Sequence, residues 1–277
     1  MALFAALAGS AAAQDKSAPA PIQDKTQYHL FNPTPVALMR EMSTDRPDTT
    51  ESPYTVDAGH FQVEMSFFDY ERSFDSGMRT EAWSFGQMNL KAGLFDNTDL
   101  QLIFDAYDTV RTTGQGITTS LSGFTDITVR LKTNLWGNES GTTALALMPY
   151  VGIPTRANLG SDRWAGGLIV PLGVKLTDRL SLGLMIEADL VPDANTSGYD
   201  LAWVHTATLG VELTKQLGAY VELVGIADAG GGPYQALFDA GLTFGITDNL
   251  VFDAGIRVGL NNDTPEFGTF TGMSFRF

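Results

Sequence analysis

The sequence has no cysteine, which excludes a disulfide framework and any thiolate metal site. Basic residues are few, 17 Lys and Arg against 32 Asp and Glu, so nothing offers nucleic-acid phosphates a cationic surface. No apolar run past the N-terminus approaches the roughly 18 residues that a membrane-spanning helix needs. HExxH, GxSxG, P-loop and dinucleotide fingerprints are all missing. The acidic stretches "GNESGT" and "PDANTSG" lack EF-hand spacing, so no metal or other cofactor is expected. Histidine is scarce too, with His29, His60 and His205 alone. His205 falls in phase with Leu201, Trp203 and Leu209, on an apolar face. It is the one residue around which a lipid-hydrolase reading would centre, but no serine elbow or other recognisable motif accompanies it. An enzyme is not expected.

What the chain does have is persistent alternation. In "LSLGLMIEADLV", Leu180, Leu182, Leu184, Ile186, Ala188 and Leu190 share one face, and Ser181, Gly183, Met185, Glu187 and Asp189 the other. "LVFDAGIRVGLN" and "GFTDITVRLKTNLW" repeat the pattern, which is that of β-strands. Each stretch holds about ten alternating residues, against the five or six usual in a soluble sheet. Ten residues of about 3.3 Å, tilted by about 40°, cover the roughly 25 Å apolar band of an outer-membrane barrel.

Short turns at "DNTD", "GNESG", "TDR", "TKQ" and "TDN" alternate with longer polar segments such as "RSFDSGM", "TVRTTGQGITTS" and "TRANLGSDR". Short periplasmic turns and longer extracellular loops are the barrel arrangement. The chain is therefore read as all-β, a closed antiparallel transmembrane β-barrel of about twelve strands over residues 58–277, in the outer membrane. A proline-rich periplasmic segment, 14–57, precedes it, with one helical turn expected behind Pro35. Residues 1–13 read as a signal peptide that lacks its basic start and so extends upstream. The final "FTGMSFRF" puts Phe275 and the terminal Phe277 on the apolar face, which resembles the assembly signal of outer-membrane barrels. The expected partners are membrane lipid, the outer-membrane assembly machinery and a small solute. Phe95, Trp136, Tyr150, Trp164, Trp203 and Phe267 are candidates for aromatic girdles.

In a closed barrel the apolar set meets lipid, so the polar set must line the lumen. That lining includes Glu64, Lys91, Asp105, Asp126, Arg130, Lys132, Glu187, Asp189, Glu212, Glu222, Asp239, Asp253, Arg257 and Arg276. Both signs occur, so cross-strand ion pairs are expected. The charges either hold the wall together or form a selectivity field for a polar or cationic solute. Twelve strands leave a narrow lumen, easily obstructed.

The stretch before the first strand, "STDRPDTTESPYTVDAGHFQVE" (Ser43 to Glu64), is unusually dense in charge. Its Thr-Asp-Arg-Pro-Asp run, the Thr-Glu-Ser-Pro that follows, then Thr55, Val56, Gly59, Gln62 and Glu64, resemble the outer-membrane transporter family named for the MetA pathway of phenol degradation. The resemblance implies a β-barrel with a transport role and names no substrate. Physically, Pro47 and Pro53 hold Arg46 and Ser52 extended. Asp45, Arg46, Asp48 and Glu51 form a candidate plug or gate at the periplasmic mouth. Arg46 is expected to pair with Glu64, Asp189 or Glu222. The expected function is passive passage of small solutes through a narrow charged lumen; a non-conducting structural barrel is the other reading.

Overall fold

The computed structural model describes residues 24–193 and 196–277. The expected signal peptide lies outside them. Thirteen strands form one antiparallel sheet: β1 (Phe61–Asp75), β2 (Met78–Phe95), β3 (Thr98–Gly114), β4 (Ile117–Gly123), β5 (Ile127–Trp136), β6 (Thr143–Ile153), β7 (Ala165–Lys175), β8 (Leu180–Pro192), β9 (Tyr199–Glu212), β10 (Leu217–Asp228), β11 (Gln235–Thr247), β12 (Leu250–Gly259) and β13 (Phe267–Arg276). Each pairs with its neighbour in sequence, with one refinement. The outer half of β3 pairs with β4 and its inner half with β5, so β4 and β5 are two parts of a single pass. Pairing of β1 with β13 closes the sheet into a barrel of twelve passes.

Closure runs to the last residue. Phe61 and Phe277 exchange both backbone hydrogen bonds, at 3.0 and 2.9 Å, and their rings stack. The barrel therefore has no free edge, as the hydrocarbon core of a membrane requires.

Burial is inverted relative to a water-soluble protein. Lys132, Glu64 and Glu222 are 1–2 % exposed, whereas Leu223, next to Glu222 on β10, and Ile186 on β8 are 56 % and 57 % exposed. The alternation sorts apolar side chains to the lipid face and polar ones to the lumen. Phe61, Phe95, Trp136 and Phe277 are exposed at the short-turn end, and Phe124, Trp164 and Tyr199 at the other. Tyr150 is a correction to the girdle: its ring faces inward and its hydroxyl bonds Asp189.

Two of the expected long loops are strand instead. β1 and β2 join through Ser76–Gly77, and β3 and β4 through Gln115–Gly116, with φ of 50° and 80° and of 51° and 80°. Two successive positive φ values make the primed turn that matches the twist of long hairpins. Threonine-rich polar strands thus rise past the apolar band where the sequence alone suggested loops.

The short turns, the start of β1 and the C-terminus share one end of the barrel. The residues preceding β1 also sit there. Pro35 precedes a 3-10 turn at Val36–Leu38, as expected from its fixed φ.

Candidate functional site

Residues 24–60 do not hang free of the barrel. Their base is clamped around Asp57, which is fully buried and lies within 4 Å of three cations, Lys25, Arg40 and Arg276. Arg40 also bonds the Asp96 carbonyl at 2.8 Å and pairs with Glu139 at 2.7 Å, tying the segment to two of the short turns. Asn138 donates to Thr55 Oγ1 and to the Asp96 carbonyl.

From that base, Ser43 to Val56 forms a loop that enters the lumen and returns. The loop is closed on itself by a Ser43–Ser52 hydroxyl pair at 2.6 Å and by the Ser52 N–H on Asp45 Oδ1 at 2.9 Å. Its charged side chains then meet the wall one by one. Asp45 is bonded by Lys132 through Oδ1 and by Lys91 through Oδ2. Its own N–H donates to Glu64, which is in turn paired with Lys91 and bonded by Gln62. Burial opposes ionisation of Asp45, but Lys132 and Lys91 outweigh it and hold the carboxyl well below the usual range.

Arg46 donates to Asp253 from Nε at 3.1 Å and from a terminal nitrogen at 2.7 Å, a two-point grip on one carboxylate. It also bonds the Ser66 hydroxyl. The expected partners Glu64, Asp189 and Glu222 are corrected to Asp253. The reason is steric as well as electrostatic. A Cβ on Gly272 would lie 2.5 Å from the Arg46 guanidinium, so the bare backbone at that position makes the berth. Gly93 does the same for the loop's exit, where an added Cβ would stand 2.0 Å from the Asp57 carbonyl.

The tip bonds the far wall. Glu222 accepts the N–H groups of Thr49 and Thr50, at 2.7 and 2.8 Å, and the Thr50 hydroxyl. Thr50 also meets the Thr206 hydroxyl at 2.5 Å. Glu51 pairs with Arg130, and its N–H points at Met185 Sδ, 3.4 Å away. Burial pushes the Glu51 carboxyl up to about 7 against the pull of Arg130. Asp48 differs from the others. It is raised well above the usual range by burial and then by the adjoining Glu222 carboxylate, and among the described residues no Lys or Arg is paired with it.

Most of the expected lining faces inward. Lys91, Lys132, Arg130, Glu64, Glu222 and Asp253 contact the loop directly, and Arg276 contacts its base. Asp239 receives the Thr49 hydroxyl at 3.4 Å. Nearer the outside, Arg257 bonds both oxygens of Asp69 and one of Glu71, and lies 4.7 Å from the centre of the Phe270 ring. Asp105 accepts from Thr125. Asp189 holds Tyr150. Glu187 faces the lumen beside Asp189.

Two assignments are corrected. Asp126 sits at the outer end, where it accepts the N–H groups of Thr155 and Ser161 and fixes the loop between β6 and β7. Glu212 is exposed at the short-turn rim, because β9 ends there. Ser66, Asp69, Gly93, Thr206 and Gly272 were not singled out from sequence, since nothing short of the pairing register brings them to the loop or to its wall partners. Asp57 could have been found: it continues the charged motif by one residue beyond Val56.

Among the described residues no group of three His, Asp or Glu side chains has metal-ligand spacing. His205 lies outside the lumen, with Nε2 2.8 Å from the Tyr234 hydroxyl and the two rings stacked.

The fold is that of outer-membrane barrels. The translocator domain of the autotransporter NalP from Neisseria meningitidis is similar, with a TM-score of 0.52 and 11 % identity over 79 % of this chain and 88 % of that one. The β domain of the Bordetella autotransporter BrkA gives 0.51 and 11 % over 79 % and 99 %. The transport unit of AIDA-I from Escherichia coli gives 0.50 and 10 % over 85 % and 92 %. No curated protein matches the chain. A family model matches residues 44–277, from the charged loop to the last residue. The chain belongs to the family described as "Putative MetA-pathway of phenol degradation".

Proposed function

We propose that this outer-membrane barrel is a channel for passive passage of small solutes, held shut by the Ser43–Val56 loop. One observation carries the reading: the loop's tip crosses the lumen and bonds walls on opposite sides, Asp253 on β12 and Arg130 on β5. A loop needed only to tether the first strand would have no use for contacts on β5, β9, β10 and β12. Solute passage then requires the tip to swing aside while the clamp around Asp57 keeps its base in place. Asp45, Arg46 and Glu51 hold the loop through charges of opposite sign. The remaining inward charges define the path that a solute would follow from outside.

Catalysis is not part of the proposal. His205 meets Tyr234 on the lipid-facing side, with no acid or serine hydroxyl bonded to it among the described residues. Phe275 and Phe277, stacked at the seam, are the residues we assign to recognition by the assembly machinery.

The test uses the close approach of Thr50 and Thr206. The sequence has no cysteine, so a T50C/T206C pair is the single disulfide available. In proteoliposomes the reduced protein should admit a small sugar probe and the oxidised protein should exclude it. Equal uptake in the two states would overturn the gate.

A further inference from the structure

The charges that meet the loop are sorted by sign around the lumen. Lys91 on β2 and Arg130 and Lys132 on β5 flank β3; Lys91 and Arg130 share one row of the sheet, with Gln101 of β3 between them. Glu222, Asp239 and Asp253 stand on the successive strands β10, β11 and β12, and the first two are direct cross-strand neighbours. Around the closed sheet, β2, β1, β13 and β12 lie between β3 and β11 in one direction, and β5 to β10 in the other. The two groups therefore face each other, a cationic wall opposite an acidic one.

The loop answers the two walls group by group. Asp45 and Glu51 turn their carboxylates to the cationic wall, where Lys91, Lys132 and Arg130 hold them. Arg46 turns its guanidinium to Asp253, and the N–H groups of Thr49 and Thr50 point at Glu222. Asp45 and Arg46 are consecutive residues, so one short covalent chain already joins a carboxylate on one wall to a cation on the other. They stand in for the two ends of a small zwitterion. Without them both walls are left with unmet charge. Among the described residues Lys132 and Asp253 have no other ion-pair partner, while Lys91 keeps Glu64. Asp99, the register partner of Lys132 on β3, accepts instead from the Val56 N–H and the Gln101 amide. One carboxyl oxygen of Asp239 is buried without a hydrogen-bond partner even with the loop seated.

We propose that the space the loop occupies is a binding site for extended zwitterions, of which short peptides with neutral side chains are the simplest. The carboxylate end lies against Lys91 and Lys132 and the ammonium end against Asp253. This rests on the reading of the loop as a gate, because the site is free only when the loop has swung aside. A solute with both charges restores both of the partners that the loop withdraws. A singly charged solute of the same size restores one and leaves the opposite wall uncompensated, and an uncharged one restores neither. Solute and loop are thus rivals for one site, and a solute that binds only the displaced state draws the equilibrium towards opening.

Triglycine and three capped relatives test this. N-acetyl-triglycine keeps only the carboxylate, triglycine amide only the ammonium, and N-acetyl-triglycine amide neither. In planar bilayers triglycine should raise the open fraction of the full chain, and each capped form should need a concentration about tenfold higher for the same effect. Asp253→Asn should remove the advantage of triglycine over N-acetyl-triglycine and spare its advantage over triglycine amide. Calorimetric titration of a chain lacking Ser43–Val56, in detergent micelles, gives a second readout that does not depend on conduction. Triglycine should bind there more tightly than any capped form, and more tightly than it binds the full chain. A capped form that matches triglycine in either measurement would overturn the site. A deletion that conducts no better than the full chain, yet ranks the four compounds in this order, would instead overturn the gate and keep the site.

Discussion

The Asp45 carboxylate stands between two ammonium groups, one oxygen 2.5 Å from Lys132 and the other 2.5 Å from Lys91. All three side chains are almost wholly buried, so the lysines depend for direct pairing on this carboxylate and, for Lys91, on Glu64. The loop's attachment to the wall is concentrated at this point.

Asp45→Asn leaves Lys132 without an ion-pair partner and Lys91 with Glu64 alone, the buried Asp99 acting on both only from beyond pairing distance. Removing one partner of a buried ion pair costs about 3–5 kcal/mol. If about 3 kcal/mol of that falls on the seated state alone, the balance between seated and displaced loop moves about a hundredfold. The expected outcome is a large rise in the open fraction of single channels, with the barrel still folded. An unchanged open fraction would mean that the triad supports the wall and not the loop.

Arg46 and Asp253 lie 207 residues apart in sequence and share two hydrogen bonds. A double-mutant cycle with Arg46→Ala and Asp253→Ala, read as the equilibrium between closed and open channels, should give a coupling of about 0.5–3 kcal/mol. Strict additivity would show that the two residues act independently.

How much of this was legible beforehand can be judged from the same pair. That Arg46 needs a carboxylate follows from its charge and its setting, and period two puts Asp253 on the lumen side. Which carboxylate it reaches depends on strand register and on the room left by Gly272, and neither is written in local sequence. The phase itself also slips within a strand. β1 shifts its register between Ser66 and Phe68, so Glu64 and Ser66 face inward but so does Asp69, three residues on. A strict alternation would have put Asp69 in lipid. The barrel closure, the strand length and the polar lining were readable because the bilayer imposes them on every strand. The loop's berth was not, because it is assembled from residues scattered over strands from β1 to β13.

Phe277 closes the seam by its backbone and stacks on both Phe61 and Phe275. Deleting it removes one pair of ladder bonds and the aromatic end together. The yield of heat-modifiable, membrane-inserted protein should fall several-fold, while refolding of the purified chain into detergent should be affected less. Equal losses in the two settings would assign Phe277 to barrel stability alone and not to recognition during assembly.

His205 should be silent in catalysis. Purified protein should not hydrolyse phospholipid, and His205→Ala should leave conductance unaltered. Lipid hydrolysis that disappears in His205→Ala would return the enzyme reading.

The most direct test of the account compares single-channel conductance of the full chain and of a chain lacking Ser43–Val56 in the same bilayer. With the loop closing the lumen, the full chain should conduct rarely and the deletion steadily, with larger currents through the vacated space. Equal conductance in the two proteins, or none in either, would contradict a gated channel.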